Sequence, residues 1–376
     1  MKKILLVSVL IIFYHFSFTQ TPIDTEAKRK TRNLLINLHS IAEQGFMFGH
    51  QDDQAYGVGW TAEKKRSDVL ETAGSYPAVH GWDVGKKMTN ELNIDSVDFK
   101  NMKRWMRKAY RRRGINTVSF HLDNLTSGSN SWDKTPSVPD ILPGGAKHDE
   151  FLKQMDALAN FFKKVRVPII FRPWHEHNGD WFWWGKGNVS EEDYIALFRF
   201  TVDYLKNEKG IHNLLYAFSP DRSRLIMDEN ANQNYLWGYP GDDYVDIIGL
   251  DNYGDVGRAN GPDSPEKQAE YFVQSLKLIT KIAEEKGKVA ALTETGLEGL
   301  SNEKWYTDII LNPIKKNRDE IKIAWVLVWR NFNMKHHYAP YPGHPSESDF
   351  KIFRDHPKVF FEDDLKNPYR KGKIIK

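Results

Sequence analysis

The chain has 376 residues, 40% of them hydrophobic, which suits one large domain or two small ones with a full core and excludes disorder. A formal charge of +3 offers no basis for binding nucleic acid or a membrane surface, so neither partner is expected. Cysteine is absent, which excludes disulfides, zinc–thiolate sites, a cysteine nucleophile and a lipid-modified cysteine anchor.

Residues 1–19 read as a secretory signal peptide. Lys2 and Lys3 precede an apolar run from Ile4 to Phe13 that is too short to span a bilayer comfortably, and Ser17 and Thr19 are small enough for a cleavage site; an uncleaved N-terminal anchor is the alternative, which a run of this length fits less well. The expectation is an exported protein, periplasmic or secreted, whose mature chain (20–376) forms a single domain with no membrane span. Short apolar, β-branched runs then alternate with amphipathic stretches. The sequence predicts strands at Phe46–Phe48, Pro77–Val79, Asn116–Phe120, Val167–Phe171, Leu214–Phe218, Val245–Leu250, Val289–Leu292 and Ile323–Val328. Helices are predicted at Thr25–Ala42, Ser96–Arg112, Asp149–Lys164, Glu191–Lys206, Pro265–Glu285 and Asn302–Lys316. The basic run Lys103 to Arg113 falls on the second of these and reads as a solvated helix face. Continuous apolar strands alternating with helices indicate a parallel sheet covered on both faces, and eight such units indicate a (β/α)8 TIM barrel.

The chemistry falls where a barrel would place it. His50, Asp83, His121, Glu176, Asp221, Asp251 with Tyr253, Glu294, and Trp329 with Arg330 each follow a predicted strand, at the C-terminal face where barrel enzymes build their sites. A doubly wound sheet would gather function at one switch point instead. Two glutamates dominate. Glu176 ends the fourth strand within Phe171–Gly185, where Trp181, Phe182, Trp183 and Trp184 crowd into a loop; Glu294 ends the seventh, 118 residues later. Strands four and seven face each other across a closed barrel, so both carboxylates can enter one pocket. Flat aromatic faces beside paired acids suit a sugar ring and its acid-catalysed cleavage. Trp183 and Trp184 fit either a sugar platform or loop packing.

Arg172-Pro-Trp-His175-Glu176, followed by Gly179 and Trp181 to Gly185, resembles the acid/base motif of glycoside hydrolase family 26, the β-mannanases of a retaining (β/α)8 clan. Asp251-Asn-Tyr253, Thr293-Glu294-Thr-Gly and Val328-Trp329-Arg330 resemble that family's remaining blocks in order. The resemblance implies hydrolysis of β-1,4-mannan or manno-oligosaccharides, with Glu176 as general acid/base and Glu294 as nucleophile. Arg172 would keep the neighbouring carboxylate ionised, Tyr253 would orient it, and Glu176, among aromatics and near a second charge, should hold its proton. His175 is then expected at the reacting sugar, Trp329 beneath it and Trp181 on the leaving-group side. His121, Asp251 and Arg330 are expected at the next sugar towards the non-reducing end.

Retention predicts carboxyl groups about 5 to 5.5 Å apart, against about 6.5 to 9.5 Å for inversion. Neither metal nor other cofactor is expected, because His175-Glu176-His177 lacks the i, i+4 spacing of a helical zinc site. A monomer is expected. Within the same family, exo-type release of mannobiose or action on β-1,3-xylan or mixed-linkage β-glucan remain open, as does a catalytically dead mannan-binding barrel.

Overall fold

A computed structural model describes residues 21–376, so the proposed signal peptide lies outside the described residues. Eight parallel strands close on themselves: β1 (Phe46–Gln51), β2 (Val79–Asp83), β3 (Ile115–Phe120), β4 (Ile169–Pro173), β5 (Leu214–Phe218), β6 (Ile247–Asn252), β7 (Val289–Thr295) and β8 (Ile323–Val328). Each pairs with its sequence neighbour, and β1 returns to β8 through Met47 opposite Trp325 and His50 opposite Val328. The chain is therefore a single (β/α)8 barrel, as the alternation predicted.

Strand parity sorts the core into two layers. Phe171, Tyr216, Phe218, Leu250 and Leu292 belong to the layer between barrel and helices, with Phe162, Phe198 and Phe272. The alternate residues Met47, Ile170, Leu215, Ile247 and Ala291 form a second layer with Leu34, Leu38 and Ile41 of helix Arg29–Gln44, at the N-terminal end of the strands. Polar groups at the other end are thereby left to the site. The strands at 77 and 167 begin two residues later than predicted, at Val79 and Ile169, because Pro77 and Pro168 have no N–H to give a ladder.

Other departures have local causes. Residues 302–316 form a π-helix, Trp305–Leu311, and then a short α-helix, Asn312–Lys316, since Pro313 cannot donate within a continuous α-helix. The helix after β4 runs Glu191–Asp203 and ends in a π-turn over Tyr204–Glu208. Helices Asp68–Ala73 and Glu347–Arg354 and the strand Val359–Phe360 are too short to show periodicity in sequence. That ninth strand pairs with Phe46 and Met47, on the stretch of β1 that β2, paired only from Gly49, leaves open. Not all of the basic residues at 103–113 are merely solvated. The Arg107 guanidinium donates to the Lys164 carbonyl, and Arg112 pairs with Glu362.

Glu362 ties the C-terminal segment to the barrel. Its Oε2 lies 2.9 Å from Nε2 of His80, which is fully buried beside Asp53. Burial alone would lower the His80 pKa, but bonds to Asp53 and Glu362 raise it above the ordinary histidine value. A raised folded pKa gives stability that is complete below the unfolded value of about 6.5 and lost as pH rises through the folded one. Glu362→Gln is expected to cost about 3 kcal/mol and to flatten the decline of the urea midpoint above that pH. A variant with the unaltered pH slope would show that His80 is not held charged by Glu362.

Candidate active site

The lower tier of the site grows out of strand parity. Ile170 faces the barrel interior, so Arg172, two residues on, does too. Its guanidinium donates to Asp251 Oδ2 at 2.6 Å, to Ser219 Oγ at 3.1 Å and to Glu294 Oε1. Strict alternation from Ala291 would turn Glu294 outward. A register shift between β6 and β7, where Leu250 pairs with Leu292 but Asp251 with Glu294, re-aims it inward past Thr293. Thr293 Oγ1 donates to Asp251 Oδ1 at 2.7 Å. This crowding requires glycine at 249, where a Cβ would stand 2.8 Å from Ser219 and Thr293 side-chain atoms.

Burial opposes a charge on Arg172, but Asp251, Glu294 and Glu176 together hold the guanidinium firmly protonated. Tyr253, kept in its phenol form first by burial and then by the charge of Glu294, donates to Glu294 Oε2 at 3.1 Å. Each Glu294 oxygen thus accepts from a different donor, an arrangement that fixes the carboxylate in place.

Glu176 sits in the opposite environment. It and Trp174 adopt left-handed backbone, at φ 54° and 53°, a conformation costing a non-glycine residue of order 1 kcal/mol or more. The two turns bury Trp174 in the outer layer and bring Glu176 back over the barrel mouth, where its N–H donates to the Ser219 carbonyl at 2.8 Å. Trp181 Nε1 donates to Glu176 Oε2 at 2.7 Å. Burial first, then Asp221, Asp251 and Glu294, push the Glu176 pKa well above the usual carboxylate range, and the Trp181 bond only partly offsets them. Glu176 therefore carries a proton where an ordinary carboxyl would have lost it.

One oxygen each from Glu176, Asp251 and Glu294 lies within 4.8 Å of the others, the one such carboxylate trio among the described residues. Arg172 already occupies Asp251 and Glu294, so a cation there would have to displace a buried guanidinium.

A cleft of about 500 Å³ opens above this tier. Of the residues singled out in sequence, His121, His175, Glu176, Trp181, Tyr253, Glu294 and Trp329 line it. Arg172 and Asp251 lie beneath it with their polar atoms already engaged. Arg330 pairs with buried Asp95 at 3.2 Å and bonds the Tyr56 hydroxyl, outside the cleft lining. Trp183 and Trp184 are fully buried and donate to the carbonyls of Leu122 and His175, which settles them as loop packing.

Phe182, from the aromatic loop noted in sequence, lines it too, whereas sequence reasoning missed Trp132, Arg258, Glu298 and Tyr338 in the walls. Trp132 comes from the long loop after β3, is half exposed at 49%, and stacks on His121 with ring centroids 5.6 Å apart. An aromatic inside a polar loop was its one available signal.

Comparison with known proteins agrees with this architecture. Residues 23–339 match the model of Glycosyl hydrolase family 26. A mannan endo-1,4-beta-mannosidase of Bifidobacterium adolescentis is 32% identical over 88% of this chain, although the match spans only 34% of that longer protein. A Bacillus subtilis protein of the same name is 27% identical, over 86% of this chain and 88% of its own. The structure of a GH26 beta-mannanase from Bacteroides ovatus superposes with a TM-score of 0.84 at 37% identity, covering 92% of this chain and 98% of that one. The chain belongs to glycosyl hydrolase family 26.

Proposed function

We propose that this family 26 chain is a mannan endo-1,4-β-mannosidase that cleaves with retention, Glu294 acting as nucleophile and Glu176 as general acid/base. The reading is carried by the contrast between two carboxylates a few ångströms apart: Glu294 held by Arg172 and Tyr253, Glu176 protonated by its surroundings. In the first step the Glu176 proton passes to the glycosidic oxygen, the bond to the anomeric carbon breaks, and Glu294 forms a covalent mannosyl ester. In the second step Glu176, now ionised, takes a proton from the water that displaces that ester. Glu176 and Glu294 oxygens within 4.8 Å support retention, since they leave less room than the roughly 6.5 to 9.5 Å of an inverting pair.

Trp329 and Trp181 in the cleft walls supply flat faces for the sugars on either side of the bond. Mannan as the polymer is supported by the named activity of the curated relatives. The signal-like residues 1–19 support export and action outside the cytoplasm. Among the described residues no helix is long and apolar enough to cross a membrane.

The deciding experiment is a time course of products from linear β-1,4-mannan, resolved by chain length. A spread of oligosaccharides with early loss of viscosity is expected. Mannobiose alone from the first minutes would replace endo with exo action, and no product would discard mannan.

A further inference from the structure

Behind His121 in the cleft wall stands a carboxylate that the proposed chemistry leaves unused. Asp83 closes β2 and is fully buried. Its Oδ2 accepts from Ser119 Oγ at 2.7 Å and lies 2.7 Å from His121 Nδ1, while Oδ1 accepts the Gly85 amide. An acceptor-only carboxylate obliges His121 to carry a proton on Nδ1. The other ring nitrogen of His121 meets Nε2 of His175 at 3.1 Å, a contact that needs one donor and one acceptor. His175 packs against Phe182 and Trp184 and lines the cleft next to Glu176.

We propose that Asp83 is a positioning residue for the reacting sugar, acting through His121 to decide which ring nitrogen of His175 carries its proton. The mannanase reading supplies only the identity of that sugar. His121 faces Asp83 directly and feels Glu294 and Asp95, the latter paired with Arg330. Burial would lower its pKa, but these carboxylates raise it. On His175, burial comes first and Arg172, His121 and His177 add to it, keeping the ring neutral.

A charged His121 donates from both nitrogens, so His175 accepts at Nε2 and holds its proton on Nδ1. That Nδ1 has no protein partner among the described residues. Loss of the His121 proton would force the His175 proton across to Nε2 or break the bond. Asp83 thus keeps one tautomer in place as long as His121 holds its second proton, the role a buried aspartate plays behind a catalytic histidine generally.

Two measurements test this. NMR of the imidazole nitrogens in the intact protein is expected to show His121 titrating above about 6.5, with the His175 proton on Nδ1 wherever His121 is charged. A lower His121 midpoint, or a His175 proton on Nε2 in that range, overturns the proposal without any variant. Asp83→Asn, nearly isosteric, is expected to move the His121 midpoint down by at least about one pH unit and to reduce kcat/KM on β-1,4-mannan about tenfold. In a His121→Gln background the same substitution is expected to cost nothing further. An undiminished loss there would mean that Asp83 does not act through His121. A protein inert on mannan would fail the mannanase reading, while the titrations still decide the proton placement.

Discussion

Glu294→Ala is expected to lower kcat on linear β-1,4-mannan by at least about 10⁴-fold, the scale seen when a covalent nucleophile is removed, while mannan binding persists. The binding surface survives because Trp132, Trp181, Phe182 and Trp329 stand on other elements and touch neither oxygen of Glu294. The fold survives as well, since Arg172 keeps Asp251 and Ser219 as partners. Affinity electrophoresis in mannan-containing gels measures the binding and reducing-sugar release the turnover. Azide sharpens the test. It fits the space the carboxylate leaves and attacks the anomeric carbon from that face in a single displacement, so the expected product is an α-mannosyl azide. A β-mannosyl azide would assign the lost carboxylate to the acid/base position instead, and undiminished activity would remove Glu294 from the mechanism.

The parts of this site that sequence reveals are those written in neighbouring residues. His175, Glu176 and Trp181 lie within seven positions of one another, and the strand before them ends abruptly in charge, so the acid side is readable directly. The nucleophile side is readable only as a residue type at a strand end. Its inward aim depends on the β6–β7 register shift, which one strand's sequence does not contain and which plain alternation would contradict. Asp251 illustrates the same limit. Its place after a strand suggests a sugar contact, yet its neighbours Arg172 and Thr293, 79 and 42 residues away, draw it beneath the cleft. Asp83 and His121 are 38 residues apart and meet only through β2–β3 pairing. Barrel class is legible because it needs only the alternation of elements; short pieces such as Val359–Phe360 are not, because an opening beside β1 selects them rather than any periodicity of their own.

Arg172 joins stability to chemistry, and its removal is the second large effect expected. Arg172→Met keeps most of the side-chain volume but strips the counter-charge from Asp251 and Glu294, which are 0% and 4% exposed. Breaking a buried ion pair from one side costs about 3 to 5 kcal/mol, most of it the penalty of leaving a carboxylate unpaired in a low dielectric. Urea unfolding is expected to show that loss, and kcat/KM on mannan to fall with it. The two effects have separate origins, however. The stability loss belongs to the whole acidic cluster, whereas the rate loss belongs to the Glu294 oxygen that Arg172 holds. Adding Asp251→Asn removes one of the stranded charges and should restore part of the stability, because two like charges whose oxygens lie within 4.8 Å no longer repel. It gives Glu294 no guanidinium back, so the rate is expected to stay low. Recovery of both together in the double variant would make Arg172 a support of the fold alone and leave the placement of the nucleophile to Tyr253.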